Sequence, residues 1–495
     1  MQYKYNSEPL GQVTTALALP DILTAYVDGR FLAGSGERFD VEDPASASTI
    51  ATVAAATADD VDRAVTGAAA AYRGAWSSMG GTARGRLLAR MADTIREHAD
   101  DLAVLETLDS GKPLAQARGD VETSARYFEY FAGVADKILG QTLPPMDGYW
   151  SYTLREPYGV VAHITPWNSP ISQMCRGVAP CLAAGNTVVV KPSELTPLST
   201  IATARLFVEA GLPPGVCQVL PGGAATGTEL VNHPGVGFVS FTGSVPTGST
   251  IMRLAADRIC GVNLELGGKS PTIVLADADF DAAVRAGAGA VIRNAGQSCY
   301  ATTRLLVHRD ILDRYTEGVV AAVAKLRVGP GLDDLDLGPV VSGRQREGIE
   351  AALDDARADG ATVAIGGSRP ADLPGYFLMP AVLSGVRNDM AVARHEVFGP
   401  VQSIIAFDDL DEAVALANDS PYGLAAGVFT RDLATAHHLA RVLEAGQVLV
   451  NRYPMGGIDT PFGGYRRSGI GRERGLAAMI GYTQLKTVVV DMPAR

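Results

Sequence analysis

Paired cysteines are missing from this chain. Its 495 residues include five cysteines, Cys175, Cys181, Cys217, Cys260 and Cys299, with no CxxC pair and no metal-finger spacing. An odd count without a disulfide framework excludes a disulfide-stapled scaffold and favours a reducing, cytoplasmic setting, and no metal site is expected. Basic charge is also scarce. Lys and Arg number 42 against 54 Asp and Glu, a formal charge of −12, so neither nucleic acid nor an acidic membrane surface is an expected partner. Small anions remain compatible with a local basic pocket. No run of about eighteen apolar residues occurs, which argues against a membrane span. Residues 1–8 contain no basic stretch leading into an apolar one, which argues against a secretory signal. The Ala-rich stretch 281–292 is too short to span, carries Arg285 and is followed by Arg293; it reads as a buried helix. Neither a low-complexity linker nor an internal repeat is present.

What is there describes a well-buried globular protein: 47% hydrophobic residues and 19% charged. The length implies two or three domains. Across residues 60–135 apolar positions recur every three or four residues, which predicts helices. From residue 159 short apolar runs alternate with helical patterns. Residues 159–164, 186–190, 216–220 and 236–241 read as strands, and 199–210 and 227–232 as helices. This alternation predicts a parallel α/β sheet. A second α/β series starts near Pro271 with the strand-like 272–275 and continues to about residue 450. Residues 138–156 look like an extended hairpin, and 482–490 form a lone apolar strand. Both are exposed edges unless paired or covered.

Three loops carry groups that suit acyl chemistry. Cys299 lies in Gln297-Ser298-Cys299-Tyr300, Glu265 in Leu264-Glu265-Leu266-Gly267-Gly268-Lys269, and Asn168 in Pro166-Trp167-Asn168-Ser169-Pro170. A thiol there could attack a carbonyl, an amide could hold the resulting oxyanion, and a carboxylate could activate water. No G-x-G-x-x-G fingerprint is present. Instead Phe241-Thr242-Gly243-Ser244 follows a predicted strand, with Gly248 in the next turn. Backbone N–H groups at that helix end, with the Ser244 hydroxyl, suit a pyrophosphate. Such a turn is ordinary by itself; Lys191-Pro192-Ser193-Glu194 at the end of another strand gives it meaning.

With Glu396-Val397-Phe398-Gly399-Pro400 and the run from Pro461 to Glu473, these motifs resemble the aldehyde dehydrogenase superfamily through nearly the whole chain. The resemblance implies an α/β fold of three parts. These are a Rossmann-like cofactor domain (1–137 and 157–266), an α/β catalytic domain (267–468) and a small β oligomerisation flap (138–156 and 469–495). It also implies a homodimer or homotetramer. Cys299 would attack a small-molecule aldehyde, Asn168 and the Cys299 N–H would hold the thiohemiacetal oxyanion, and Glu265 would direct water onto the thioester. Relatives that pass the acyl group to coenzyme A usually lack this glutamate, so release of a free acid is implied. The cofactor would be NAD, with NADP possible, contacted by Thr165, Trp167, Lys191, Ser193, Glu194, Gly243, Ser244 and Leu266. Lys191 and Glu194 would meet the adenosine ribose, where a carboxylate repels a 2′-phosphate. Glu396 would bind the nicotinamide ribose, and Phe398 would pack near the ring.

Substrate positions depart from simple aliphatic enzymes. Ser169 stands where those relatives tend to have Phe, and arginines occupy positions 176 and 293. Paired arginines resemble succinic semialdehyde dehydrogenases, where they bind the substrate carboxylate, a geometry that suits a guanidinium fork. The third contact of those enzymes, a serine, is replaced by Gly457. Either arginine could instead pair with a local carboxylate. Tyr300, Tyr453 and Gly456 leave room for a ring, so an aromatic aldehyde is the second expectation. Gly177 also stands where many relatives have a lysine that relays protons with the equivalent of Glu473, leaving water as the remaining carrier. Other readings are a coenzyme A-acylating enzyme, a catalytically silent homologue and a cofactor-free cysteine hydrolase.

Overall fold

Short β–α units build two separate sheets in the computed structural model, which describes residues 8–454 and 456–492. The first sheet has eight strands, in the order Gly469–Ile470, Gly261–Leu266, Val236–Gly243, Val160–Ile164, Thr187–Lys191, Cys217–Val219, Tyr26–Val27, Arg30–Phe31. Its five central strands are parallel, and antiparallel strands close both edges. Val160–Ile164 and Thr187–Lys191 are buried along their whole length. Continuous Val-rich runs of this kind are what a parallel sheet needs when helices cover both faces. The second sheet, from Pro271–Val274 to Gln447–Val450, has seven strands, antiparallel only at Thr362–Ile365.

Helices Ala58–Ala71, Gly81–Glu97, Ala99–Ser110 and Leu114–Val134 fill the region of helical periodicity. Thr57 and Asp60 start the first with a reciprocal capping box. A three-stranded sheet of Ile22–Leu23, Ser48–Ala54 and Arg38–Asp43 precedes them. These strands have no counterpart in the sequence reading.

The lone C-terminal strand finds its partner far away. Thr483–Asp491 pairs antiparallel with Tyr149–Pro157 through nine register partners. The other arm of the expected hairpin, 138–148, makes isolated bridges only, Thr142 to Tyr152 and Met146 to Tyr149. The expected flap boundary at 469 needs correction. Gly469–Ile470 is an edge strand of the first sheet, and Ala478, Met479 and Tyr482 are buried in the first domain's core. Of the described residues after 469, Thr483–Asp491 pairs with Tyr149–Pro157. Residues 1–7, on which the reading of the signal rests, and 493–495 of the expected flap lie outside the described residues. Among the described residues, no helix is long and apolar enough to cross a membrane and no side-chain group suits a metal ion.

Candidate active site

The Asn168 loop joins strand Val160–Ile164 to helix Pro170–Ala183, and the Cys299 loop follows helix Phe280–Ile292. Hydrogen bonds lock the two loops together. Asn168 Nδ2 donates to the Gln297 carbonyl at 3.0 Å, and Asn294 Nδ2 donates to the Asn168 carbonyl at 2.6 Å. Gln116 and the Val341 N–H secure the far side, at 2.8 and 2.9 Å from Asn294 N and Gln297 Oε1. Asn294 and Ala295 both have left-handed backbone, φ 48° and 50°. For alanine that conformation costs energy, and its surroundings must hold it. Glu265 arrives from below, at the end of strand Gly261–Leu266. Beyond it Gly268 backs directly onto the nucleophile loop, since a Cβ at Gly268 would lie 2.8 Å from the Cys299 carbonyl. The Cys299 loop is therefore braced on one side by the Asn168 loop and on the other by Gly268, in the loop that follows the Glu265 strand.

Burial governs their charge. Glu265 is 2% exposed, and neither of its oxygens has a hydrogen-bond partner. Burial and the Glu473 carboxylate hold its carboxyl well above the usual range, against the pull of Arg176, Arg472 and Arg474. Burial likewise pushes the Cys299 thiol up to about 12; Arg176 opposes this, while Glu396 and Glu265 add to it. The resting thiol is neutral, so attack on a carbonyl must be coupled to loss of its proton.

A cleft of about 550 Å³ opens beside this centre, lined by Thr165, Trp167, Lys191, Ser193, Glu194, Gly243 and Ser244 among others. Seven of the ten expected cofactor residues thus share one cavity. Thr247, Thr250, Ile251 and Leu254 complete it. They recur at helical spacing on one face, a signal the sequence contained. The residues fit a dinucleotide. Glu194, half-exposed, suits a ribose diol, Lys191 Nζ stands 3.9 Å from it, and apolar walls suit a flat base. The anion cradle is thinner than expected. Pro246 has no N–H, and the Thr247 N–H already donates to Ser244 Oγ at 3.4 Å, an oxygen that also meets Thr247 Oγ1 at 2.9 Å. Glu396, Phe398 and Leu266 lie outside the cleft lining. Phe398 packs edge-on against Trp167 at 5.1 Å, and Glu396 Oε1 accepts from Gly268 N at 3.1 Å. They connect the cleft to the nucleophile loop. Burial pushes the Glu396 carboxyl up to about 7, against the Gly268 N–H and Lys269. Leu266 packs beneath Gly248, where a Cβ would lie 2.6 Å from its side chain.

The substrate side differs from the sequence reading. Arg176 is 4% exposed. Its Nε is ion-paired to Glu473, its Nη2 donates to Thr242 Oγ1 at 3.4 Å, and it lies 5.3 Å over the Phe462 ring. Arg293 is half-exposed, its Nη2 3.7 Å from Asp120. It lines a cavity of about 390 Å³ with Lys112, Gln116, Asp120 and Ser169. Each arginine has its own carboxylate, so the two-arginine clamp is not assembled. Nearby, Tyr300 faces Tyr453 and Phe462, each with ring centroids 5.9 Å away. Gly457 lies in an exposed turn, its N–H bonded to Thr460 Oγ1 at 3.2 Å. Asp120 and Lys112 escaped the sequence reading because Lys112 lies just before helix Leu114–Val134 and Asp120 on that helix, where each reads as an ordinary surface charge; the fold brings Nζ to 2.6 Å from Oδ2.

A sequence profile of the aldehyde dehydrogenase family matches residues 31–488. The chain is 44% identical over 472 residues to aldehyde dehydrogenase family 2 member B4, mitochondrial, of Arabidopsis thaliana, covering 94% of this chain and 88% of that protein. It is 43% identical over 456 residues to 4-trimethylaminobutyraldehyde dehydrogenase of Bos taurus, covering 91% and 92%. The NAD+ complex of the Bacillus cereus aldehyde dehydrogenase superimposes with a TM-score of 0.95, at 39% identity and complete coverage of both chains. This chain belongs to the aldehyde dehydrogenase family.

Proposed function

We propose that this protein oxidises an aldehyde to a carboxylic acid with NAD+, through a covalent Cys299 intermediate that water hydrolyses. The observation that carries this is the bracing of the Cys299 loop by the Asn168 loop and by Gly268, just beyond the Glu265 strand, beside the dinucleotide-shaped cleft. Cys299 Sγ attacks the carbonyl carbon, and the Asn168 amide with the Cys299 N–H holds the oxyanion. When bound, NAD+ supplies the hydride acceptor. Glu265 then takes a proton from water, which adds to the thioester and expels the thiolate. Glu194 supports NAD+ over NADP+, because a carboxylate beside the ribose repels a 2′-phosphate.

For the substrate, Arg293 supports an aldehyde with an anionic far end, met by one guanidinium instead of two. The aromatic walls of Tyr300, Tyr453 and Phe462 favour a second reading, an aldehyde on a ring. A cationic substrate, as named for the bovine relative, would meet the like charge of Arg293. Paired aldehydes of equal length, with and without a terminal carboxylate, separate these readings in an NADH assay. The carboxylated member is preferred, and Arg293→Ala lowers its kcat/KM about 10- to 100-fold, the worth of a charge-assisted hydrogen bond. A preference for ring aldehydes that Arg293→Ala leaves intact favours the second reading.

The flap also supports assembly between copies of the chain. Leu139, Met146, Leu485, Val489 and Met492 are exposed by 52–73%, more apolar surface than a solvated two-stranded ribbon sustains alone. Light scattering is expected to give the mass of two or four chains, and Leu485→Asp with Val489→Asp to lower it. A wild-type monomer at micromolar concentration excludes this role.

A further inference from the structure

The cavity beside Ser169 holds more charge than an aldehyde pocket needs. Helix Leu114–Val134 sets Gln116, Asp120 and Thr123 on one face, and all three line the cavity with Lys112, Ser169 and Arg293. Its charges balance: Lys112 and Arg293 are met by Asp120 and by the Glu106 carboxylate behind Lys112.

The two cations are not held alike. Lys112 is 2% exposed, and its Nζ lies 2.9 Å from Glu106 Oε1 and 2.6 Å from Asp120 Oδ2. Two close carboxylates in a dry setting fix that ammonium, and removing it from them would be costly. Arg293 is half-exposed, and its Nη2 stands 3.7 Å from the other Asp120 oxygen, Oδ1. That separation exceeds a hydrogen bond and marks a loose ion pair of small strength. Asp120 thus bridges the cations with one oxygen each, tightly toward Lys112 and weakly toward Arg293.

The backbone under Arg293 is fixed on both sides. The Arg293 N–H bonds to the Gly289 carbonyl at the end of helix Phe280–Ile292. The next residue, Asn294, donates its N–H to Gln116 Oε1 at 2.8 Å and its Nδ2 to the Asn168 carbonyl at 2.6 Å. The guanidinium can therefore change partner by side-chain rotation alone. Ser169 follows the proposed oxyanion donor Asn168 directly, and its Oγ lies 3.4 Å from Lys112 Nζ, so the cavity adjoins the reacting centre.

We propose that Asp120 is a specificity-determining residue: it competes with the far carboxylate of the substrate for the Arg293 guanidinium. This rests on the reading of Arg293 as the contact for an anionic far end. A carboxylated aldehyde takes the guanidinium over in a shorter, charge-assisted contact. An uncharged aldehyde leaves the Arg293–Asp120 pair in place and meets a wall whose charges cancel. Specificity is a difference of affinities, so the pair that the anion must displace is subtracted from its advantage. Asp120 therefore tempers the preference that a free arginine would give.

The test compares kcat/KM for succinic semialdehyde and butanal, equal in chain length, with the full chain and NAD+. Asp120→Asn keeps the volume and an acceptor for Lys112, whose ammonium retains Glu106. It is expected to raise the ratio of the two values about 5-fold, the upper scale of a partly exposed ion pair. In an Arg293→Ala background the same substitution moves the ratio by less than about twofold, because nothing is left to compete for. A ratio that Asp120→Asn leaves unchanged or lowers overturns the proposal. An equal rise in both backgrounds also overturns it, since Asp120 then repels the substrate directly. If Asp120→Asn does not fold, a crystal structure of the wild-type chain with succinate decides. Arg293 is expected to leave Asp120 for a succinate oxygen, and an Arg293 that stays on Asp120 defeats the proposal. If Arg293→Ala leaves the wild-type ratio in place, the reading of Arg293 as the anion contact fails. If Arg293→Ala lowers the ratio while Asp120→Asn does not raise it, only this inference fails.

Discussion

Cys299→Ala lowers NADH turnover by on the order of 10⁶, the scale seen when a covalent nucleophile is removed from a hydrolase. The reasoning is local. No side chain donates to or accepts from the thiol, and the loop is held by Asn168, Asn294 and Gln297 through bonds that the substitution leaves intact. The variant is therefore expected to fold and to keep its dinucleotide cleft, so fluorescence titration shows NADH binding unchanged while turnover disappears. Cys175, Cys181 and Cys217 cannot substitute, because each is packed in the first hydrophobic core, whereas Cys299 is only partly buried. Residual turnover within tenfold of wild type would exclude Cys299 as the nucleophile.

Glu265→Gln separates the two halves of the reaction. Steady-state turnover falls about 10²- to 10⁴-fold, the range for removing a general base, yet a stopped-flow trace still shows a burst approaching one NADH per active chain. Acylation needs Sγ, the oxyanion donors and the cofactor. Hydrolysis needs a group that can strip a proton from water in a site where Gly463, Thr242 and Gly469 lie close to Glu265. A glutamine fills the same space without basicity. Loss of the burst together with the steady state assigns Glu265 to thiol deprotonation instead. An unchanged steady state removes it from the mechanism, and a rate restored by added coenzyme A points to acyl transfer.

Much of this was legible where the determining interactions are local. The period of apolar residues placed the helices between 58 and 134, and the Val-rich runs marked the central strands because parallel strands bury both faces. Cys299 and Asn168 stood out because each occupies a loop next to Gln or Pro, and Glu265 because a carboxylate sits between two apolar residues at the end of a strand, just before Gly267 and Gly268. The rest depends on partners distant in sequence. Arg176 read as a substrate ligand because a chain position says nothing of Glu473, which approaches from the final loop. The short N-terminal strands carry too few residues to show a period of two. The turn pattern after Phe241 does not show that the Thr247 N–H is tied to Ser244 Oγ, so the helix end offers fewer free donors than its sequence implies.

The pairing of Tyr149–Pro157 with Thr483–Asp491 has a consequence for the life of the chain. Glu156 and Lys486 meet across 330 residues of sequence, so during synthesis the first strand waits with an open edge until that intervening stretch has been made. The same late segment delivers Phe462, Gly463 and Glu473 to the base. A nascent or C-terminally clipped chain can hold the thiol and most of the cofactor cleft, yet it lacks the wall that dries Glu265. Competence therefore waits for the segment that carries Phe462, Gly463 and Glu473, and a chain cut before it holds a cysteine without the means to discharge its acyl group.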